Sequence, residues 1–278
     1  MDSDFIPDTI TKHLPDLFSD YTSYEILEDS ILEELKDYFT FVNTEDFLYI
    51  VERSNEKFLF LIFDTNLLLD LLWNRNTKTV EIYKKLMDRS LYLAKDTEII
   101  LSTTIINVAE ILDKLRLYCA SLTMYEFRAS PDEIINMLRG SDIPRKYRNN
   151  NSFESLNYRK IFRFLKKFCN IFYDFWVLYP EMKLYPEDIV ILRDLIFRGN
   201  IRDKDALIAW IAGHYADLVN HLKKVEGPYF LTTDENFASS KVLNDLIPYV
   251  YNLRNEKTFG GFIDNVLKNW ISFEGVEV

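Results

Sequence analysis

The sequence contains few glycines and histidines, and this shortage excludes several kinds of functional site. Glycine occurs 7 times in 278 residues, and not before Gly140. A phosphate-binding P-loop or a dinucleotide-binding turn needs clustered glycines between a strand and a helix, so neither is expected. With 3 histidines, a histidine-rich zinc site and a Ser-His-Asp triad are poorly supported. Carboxylates remain as the side chains that could carry chemistry.

Long apolar runs and clustered cysteines are also lacking. The longest apolar runs are about six residues, far short of the roughly 20 that a bilayer span requires. The first residues are acidic and do not show the basic-then-apolar order of a signal peptide. The two cysteines, Cys119 and Cys169, predict buried free thiols rather than a disulfide framework. We therefore expect a cytoplasmic protein with no membrane partner.

Charge is distributed unevenly along the chain. Of a formal net charge of −11, residues 1–57 carry 15 acidic against 4 basic side chains. Residues 139–167 carry 9 basic against 2 acidic side chains. This pattern predicts an acidic, mainly helical extension at 1–57, and a domain at 58–278 that contains a basic helical insertion at about 128–184.

Short apolar runs alternate with helical patterns, which favours an α/β fold with a parallel sheet. Strands are predicted at Phe58–Phe63, Ile99–Leu101 and Tyr229–Thr232, and a further short one at Phe47–Val51. The first of these runs is uninterrupted, as expected for a central strand with both faces covered. The stretch 130–200 is predicted to be helical, with Ser130 as a helix cap.

Four acidic residues occupy positions that suit a composite site. Asp64 and Asp234 each follow an apolar, strand-like run, and in parallel sheets functional groups gather where strands end. Glu110 lies in a mostly apolar helix. Asp205 begins a helix with a broad apolar face, and we assign it inward, with Asp203 at the cap or in an outer shell.

Each acid also has an ordinary structural explanation. The two aspartates that follow strands could be helix N-caps. Glu110 could pair with Lys114 on a solvated helix face, which contributes only a few tenths of a kcal/mol. If all four converge, however, each pair of charges ~4 Å apart repels by roughly 4 kcal/mol at an effective dielectric near 20. A divalent cation would offset this repulsion, and oxygen ligands without histidine select Mg²⁺ or Mn²⁺.

The segments around the four acids resemble the motifs of the PIN-domain nucleases, over about 58–127 and 185–252. The matching segments, in order, are Asp64-Thr65-Asn66, Val108 to Ile111, Asp205 to Ala209, and Leu231 to Phe237. The sequence departs from the family pattern in three ways. Glu110 and Asp205 are 95 residues apart, Asn236 stands where many members carry a further acid, and Trp210 replaces a usually small residue.

The resemblance implies a three-layer α/β/α sandwich and a metal-dependent endoribonuclease that leaves 5′-phosphate and 3′-hydroxyl ends. The residues that would hold Mg²⁺ or Mn²⁺ are Asp64, Glu110, Asp205 and Asp234. Those that would support them are Thr65, Asn66, Asp203 and Thr232.

The basic insertion is the predicted contact surface for RNA, since Lys and Arg neutralise phosphates and aromatic rings stack on unpaired bases. Its candidate residues are Arg145, Lys146 and Arg148, in a predicted loop, and Arg159 and Lys160. Its aromatic rings could equally be the core of an amphipathic helix.

Two other functions stay open at this point. The chain could be a catalytically inactive module that binds nucleic acid or protein. It could also be a phosphatase with Asp64 as nucleophile, although such enzymes usually place a second aspartate where Asn66 stands. An inhibitor protein or a second copy of the chain are further candidate partners.

Overall fold

The structure is a computed structural model that describes residues 40–73, 77–87, 97–173, 175–180 and 185–270. Most of the predicted acidic extension therefore lies outside the described residues. Within them the chain divides into two compact units, one of residues 113–170 and the other of residues 40–112 and 171–270. The domain boundary predicted at residue 57 and the insertion predicted at about 128–184 stay predictions.

The second unit is built on a six-stranded, all-parallel sheet with the order β1-β4-β3-β2-β5-β6. Helices flank this sheet, so the predicted α/β architecture of an α/β/α sandwich is confirmed. The strands are β1 (Thr40–Val42), β2 (Lys57–Phe63), β3 (Thr97–Thr104), β4 (Trp176–Leu178), β5 (Val225–Thr232) and β6 (Tyr249–Asn252).

The helices follow the strands in alternation through most of the chain. In order they are α1 (Thr44–Arg53), α2 (Thr65–Trp73), α3 (Thr77–Met87), α4 (Ile105–Glu126), α5 (Pro131–Gly140), α6 (Arg145–Arg148), α7 (Asn151–Phe172), α8 (Pro186–Phe197), α9 (Asp203–Asn220), α10 (Glu235–Ser239), α11 (Lys241–Leu246), α12 (Glu256–Phe262) and α13 (Lys268–Trp270), and a π-helical segment (Ile263–Leu267) joins the last two.

After its exposed first residue, Lys57, the central strand β2 is apolar and buried, since both of its faces are covered. Phe60 and Ile62 belong to a core shared with Ile211 and Tyr215 of α9. Phe63 points to the opposite face and lies edge-on to Phe175, with ring centroids 5.2 Å apart. Burial of large apolar side chains on both faces stabilises this strand by about 25 cal/mol for each Å² removed from water.

The direction in which successive strands are added to the sheet reverses beside β2, although all the strands run parallel. From β2 the chain moves to β3 and β4 on one side, and it later returns to place β5 on the other side. In open parallel sheets, ligands bind outside the carboxyl ends of the strands at such a point. The carboxyl ends of β2 and β5 are followed by Asp64 and by Asp234 two residues after Thr232, so the fold puts both aspartates at this edge.

Two predicted elements are wrong, and both errors have a physical reason. Phe47–Val51 is part of helix α1, not a strand. Phe47 and Val51 are one helical turn apart and both buried, and Asn43 caps the helix by accepting from the amide of Asp46 at 2.7 Å. Strand β4 lies inside the stretch predicted to be helical, because its three residues are too few to show a strand period.

The first unit is helical and has its own small core. Its apolar centre includes Leu117, Met124, Met137 and Phe153. The predicted cap at Ser130 is confirmed, since its hydroxyl accepts from the amide of Glu133, and the carboxylate of Glu133 accepts from the amide of Ser130.

Both cysteines are free and buried, as predicted. Burial raises the pKa of the Cys119 thiol to about 12, against a smaller lowering effect of Lys160. None of the described helices is both long and apolar enough to cross a membrane.

Candidate active site

Asp64 is the residue that follows strand β2 and directly precedes helix α2. Its amide donates to the carbonyl of Leu231 on β5 at 2.9 Å. Its carbonyl accepts from the amides of Leu67 and Leu68, which begins the helix. The backbone of Asp64 is therefore fixed by the sheet on one side and by the helix on the other.

The carboxylate of Asp64 is buried and held by two donors. Its Oδ1 accepts from the amide of Thr65, and its Oδ2 accepts from the hydroxyl of Thr232, both at 2.7 Å. The side chain is 6% exposed. The hydroxyl donor comes from β5, so this bond crosses the point where the strand order reverses. Both donors, Thr65 and Thr232, are among the residues predicted to support the site, and that role stays a prediction.

Burial raises the pKa of Asp64 to about 7, since the charged form loses its hydration. The hydrogen bonds from Thr232 and Thr65 oppose this effect, whereas the charges of Asp205 and Glu110 add to it. A carboxylate with such a pKa in a polar edge of a sheet is a recognised sign of a functional site.

Thr65 also connects Asp64 to Glu110. The Thr65 hydroxyl donates to Oε2 of Glu110 at 2.7 Å, while the Thr65 amide donates to Asp64. Glu110 is half-buried on α4, and Asn66 is half-buried as the second residue of α2. The structure thus brings Asp64 and Glu110 to one place through a single intervening residue.

Asp205 lies at the start of α9, and its charge reaches Asp64 strongly enough to raise its pKa. It is half-buried, whereas Asp203 is exposed. Asp203 is not the cap of the helix. Arg202 occupies that position and makes no side-chain capping bond.

Asp234 lies beside Thr232, which contacts Asp64, but the carboxylate of Asp234 caps helix α10. Its Oδ1 accepts from the amides of Asn236 and Phe237 at 2.8 and 3.2 Å. Its own amide donates to the Thr232 hydroxyl at 3.0 Å. The charges that raise the pKa of Asp64 are those of Asp205 and Glu110. For Asp234, therefore, the ordinary explanation as a helix cap has direct structural support.

The carboxylate oxygens of the site suit a hard divalent cation, but the carboxylates themselves are not closely spaced. In the part of the chain that is described, no three acidic, histidine or cysteine side chains are grouped tightly enough to hold a metal ion. The charges of Glu110 and Asp205 both add to the raised pKa of Asp64, and the Thr65 hydroxyl joins Glu110 to the residue that follows Asp64. Ligand carboxylates separate when no cation offsets their repulsion, which accounts for the open spacing. These three residues would hold Mg²⁺ or Mn²⁺.

Two buried oxygen atoms near the carboxylates have no hydrogen-bond partner among the described residues. They are Oδ1 of Asn107, on α4 one turn before Glu110, and Oγ1 of Thr233, immediately after β5. An unsatisfied buried polar atom costs roughly 1–3 kcal/mol, so it calls for a partner such as water or an ion.

The sequence prediction missed Asn107 and Thr103. Both donate to the carbonyl of Phe63, at 2.8 and 3.0 Å, and so fix the backbone just before Asp64. No local sequence pattern identifies Asn107, because its bonds depend on how α4 packs against the ends of two strands.

The predicted RNA-contact residues lie in the first unit, where three of the five have acidic partners. Lys146 pairs with Glu133, Arg148 with Asp142 at 3.0 Å, and Lys160 with Glu126 at 2.9 Å. Arg145 and Arg159 are exposed and have no acidic partner among the described residues. Arg145, Lys146 and Arg148 form the short helix α6 rather than the predicted loop.

The aromatic rings of the insertion are mostly core. Tyr147, Phe153 and Tyr158 are buried, with exposed fractions of 8%, 1% and 7%. They are not available to stack on bases, so the alternative explanation as helix core is the correct one for these three.

Comparison of the chain with protein-family models, curated proteins and solved structures found no match. The resemblance to PIN-domain nucleases consequently rests on the four sequence motifs alone.

Proposed function

We propose that the chain is a metal-dependent endoribonuclease whose site is formed by Asp64, Glu110 and Asp205. The observation that carries this proposal is the environment of Asp64. It is a buried carboxylate at the reversal of strand order, hydrogen-bonded through Thr65 to a second acid and electrostatically coupled to a third. The four motifs that resemble the PIN-domain family support the same conclusion.

Each residue of the proposed site has a task that follows from its contacts. A bound Mg²⁺ or Mn²⁺ would lower the pKa of a water molecule and offset charge on a phosphate. Thr232 and the Thr65 amide orient the two oxygens of Asp64. The Thr65 hydroxyl orients Glu110, and the start of α9 presents Asp205. Burial keeps bulk water from Asp64, which strengthens electrostatic interactions at the site.

Phosphate contacts would come from exposed cations. Arg202 and Lys204 flank Asp203 at the start of α9 and are exposed. Arg145 and Arg159 are the corresponding candidates in the first unit. By resemblance the substrate is RNA, and the products carry 5′-phosphate and 3′-hydroxyl ends.

The test is a cleavage assay with single-stranded RNA and single-stranded DNA in Mn²⁺, Mg²⁺ or EDTA. We expect the wild type to cut RNA only with metal, and Asp64→Asn to lose this activity. Asp217→Asn, an exposed aspartate on α9, is the control and should remain active. If wild type, control and variant are all inert in every metal, the proposal fails.

The second candidate is a binding module that retains the fold without catalysis. The absence of a tight three-ligand group among the described residues favours it. It predicts RNA or protein binding that survives Asp64→Asn. A phosphatase that uses Asp64 as nucleophile is less well supported, because Asn66 stands where such enzymes usually place a second aspartate.

A further inference from the structure

Asn107 is a buried polar residue that connects three elements at the carboxyl edge of the sheet. Its side chain is fully buried on α4. Its Nδ2 donates to the Phe63 carbonyl at the end of β2, at 2.8 Å, and to the Thr103 hydroxyl on β3, at 3.0 Å. Its own amide donates to the Thr104 hydroxyl at 3.2 Å.

The orientation of the Asn107 amide follows from these partners. A backbone carbonyl can only accept, so Nδ2 rather than Oδ1 must face Phe63. Oδ1 therefore points away from that carbonyl, and it is the atom left buried without a partner among the described residues. A side chain that served only to fill space would not need such an amide.

The position of Asn107 links the two acids of the site. Phe63 directly precedes Asp64, and Glu110 follows Asn107 by three residues, so Asn107 and Glu110 share one face of α4. A single amide thus joins the backbone that carries Asp64 to the helix that carries Glu110. A second link between these acids is Thr65, whose hydroxyl donates to Glu110 and whose amide donates to Asp64.

We propose that Asn107 is a positioning residue that sets the separation of Asp64 and Glu110 for cation binding. This inference rests on the proposed function. Without the amide, Phe63 retains Thr103 as its side-chain donor, and α4 loses a bond that holds Glu110 against the end of β2. Outer residues that orient metal ligands typically contribute 10- to 100-fold to metal affinity.

The experiment measures Mn²⁺ affinity by calorimetry, together with the melting temperature in EDTA, for the wild type and two matched variants of the full chain. Asn107→Leu removes the amide. Asn157→Leu removes another buried asparagine with an unpartnered Oδ1, in the first unit. If Asn107→Leu does not fold, Asn107→Ser replaces it, since serine keeps a polar group but cannot reach the same partners.

We expect both variants to melt at lower temperature, and only the Asn107 variant to bind Mn²⁺ more weakly, by about 10- to 100-fold. Equal Mn²⁺ affinity in wild type and the Asn107 variant, despite lower stability, would show a purely structural role and overturn the assignment. If the wild type itself binds no Mn²⁺, the metal site of the proposed function is wrong, and the role of Asn107 is overturned with it.

Discussion

At the scale of single residues, Asp64 combines burial with two acidic side chains whose charges act on it. Its backbone carbonyl accepts from the amides of Leu67 and Leu68 and so begins helix α2. Asp64 is buried and has two acidic neighbours, and burial above all raises its pKa to about 7. The sequence could predict its place at the end of a strand, because the apolar run before it is unbroken. The sequence could not predict its pKa, which depends on distant residues brought together by the fold.

The first prediction concerns the pH dependence of stability in a metal-free buffer. The pKa of Asp64 is about 7 in the folded protein against an ordinary value of 3.8, so ionisation disfavours the folded state. Its contribution to the free energy of unfolding is fully present below about pH 4 and is lost as the pH rises through about 7. The side chain of Asp64→Asn cannot ionise. The free energy of unfolding of this variant should therefore exceed that of the wild type by about 2 kcal/mol at about pH 8.5.

Urea unfolding in EDTA at several pH values measures this difference. The advantage of Asp64→Asn should shrink as the pH falls toward 4–5. A difference between the two proteins that does not change with pH would show that Asp64 is ionised without cost in the folded state.

The second prediction tests the cap at Asp234. Asp234→Ala removes the acceptor for two amides of α10, which should lower the free energy of unfolding by about 1 kcal/mol. Asp234→Asn should be nearly neutral, because asparagine caps helices equally well. Thermal or urea unfolding checks both. Equal losses in the two variants would mean that the negative charge, and not the cap, stabilises this region.

At the scale of elements, helices α8 and α9 are joined by a buried aspartate. Asp188 accepts from Nε1 of Trp210 and lies 3.0 Å from Nε2 of His214, and it also accepts from the amide of Tyr185 at 2.7 Å. Burial alone would raise the pKa of Asp188, but the hydrogen bonds from Trp210 and Tyr185 and the proximity of His214 hold it below its ordinary value. Trp210 therefore has a structural partner on the neighbouring helix.

The third prediction follows from this contact. Asp188→Ala leaves the Trp210 nitrogen without its acceptor inside the protein, and it should lower the free energy of unfolding by roughly 2–4 kcal/mol. Asp217→Ala, an exposed site on α9, should change it by less than about 0.5 kcal/mol. Similar losses in both variants would contradict the account of Asp188.

Helices and strands could be predicted where their sequence pattern extends over several residues. The strand β2 and the capped helix α5 were evident from an apolar run and from a serine, proline and glutamate in sequence. The helix α1 was mistaken for a strand because only Phe47 and Val51 mark its buried face. Asn107 was missed because its bonds to Phe63 and Thr103 depend on the packing of α4 against two strand ends, which no local pattern shows.

At the scale of the whole molecule, the basic charge belongs to a helical unit with its own core. The charge bias of residues 139–167 could be read directly from the sequence. The pairing of Lys146, Arg148 and Lys160 with acidic residues could not, because their partners depend on how α5, α6 and α7 pack. The cations that stay exposed without such partners are the better candidates for phosphate contacts.

The fourth prediction concerns RNA affinity and its salt dependence. Arg145→Ala and Arg159→Ala together should weaken binding of single-stranded RNA and reduce the slope of log affinity against log salt by about 0.7 for each lost contact. Lys146→Ala with Arg148→Ala should have a smaller effect, since these cations already have acidic partners. Equal effects of the two double variants, by fluorescence anisotropy over a salt series, would show that ion pairing does not decide which cations contact RNA.

The most direct test of the central claim is the rate of RNA cleavage in Mn²⁺ by Asp205→Asn and by Asp217→Asn, two aspartates on the same helix. Of these two aspartates, Asp205 is the one whose charge raises the pKa of Asp64. We predict that Asp217→Asn cleaves as fast as the wild type and that Asp205→Asn is slower by more than about 100-fold, since loss of a ligand should exceed loss of an outer residue. Cleavage by Asp205→Asn at the wild-type rate would contradict a metal site built from Asp64, Glu110 and Asp205.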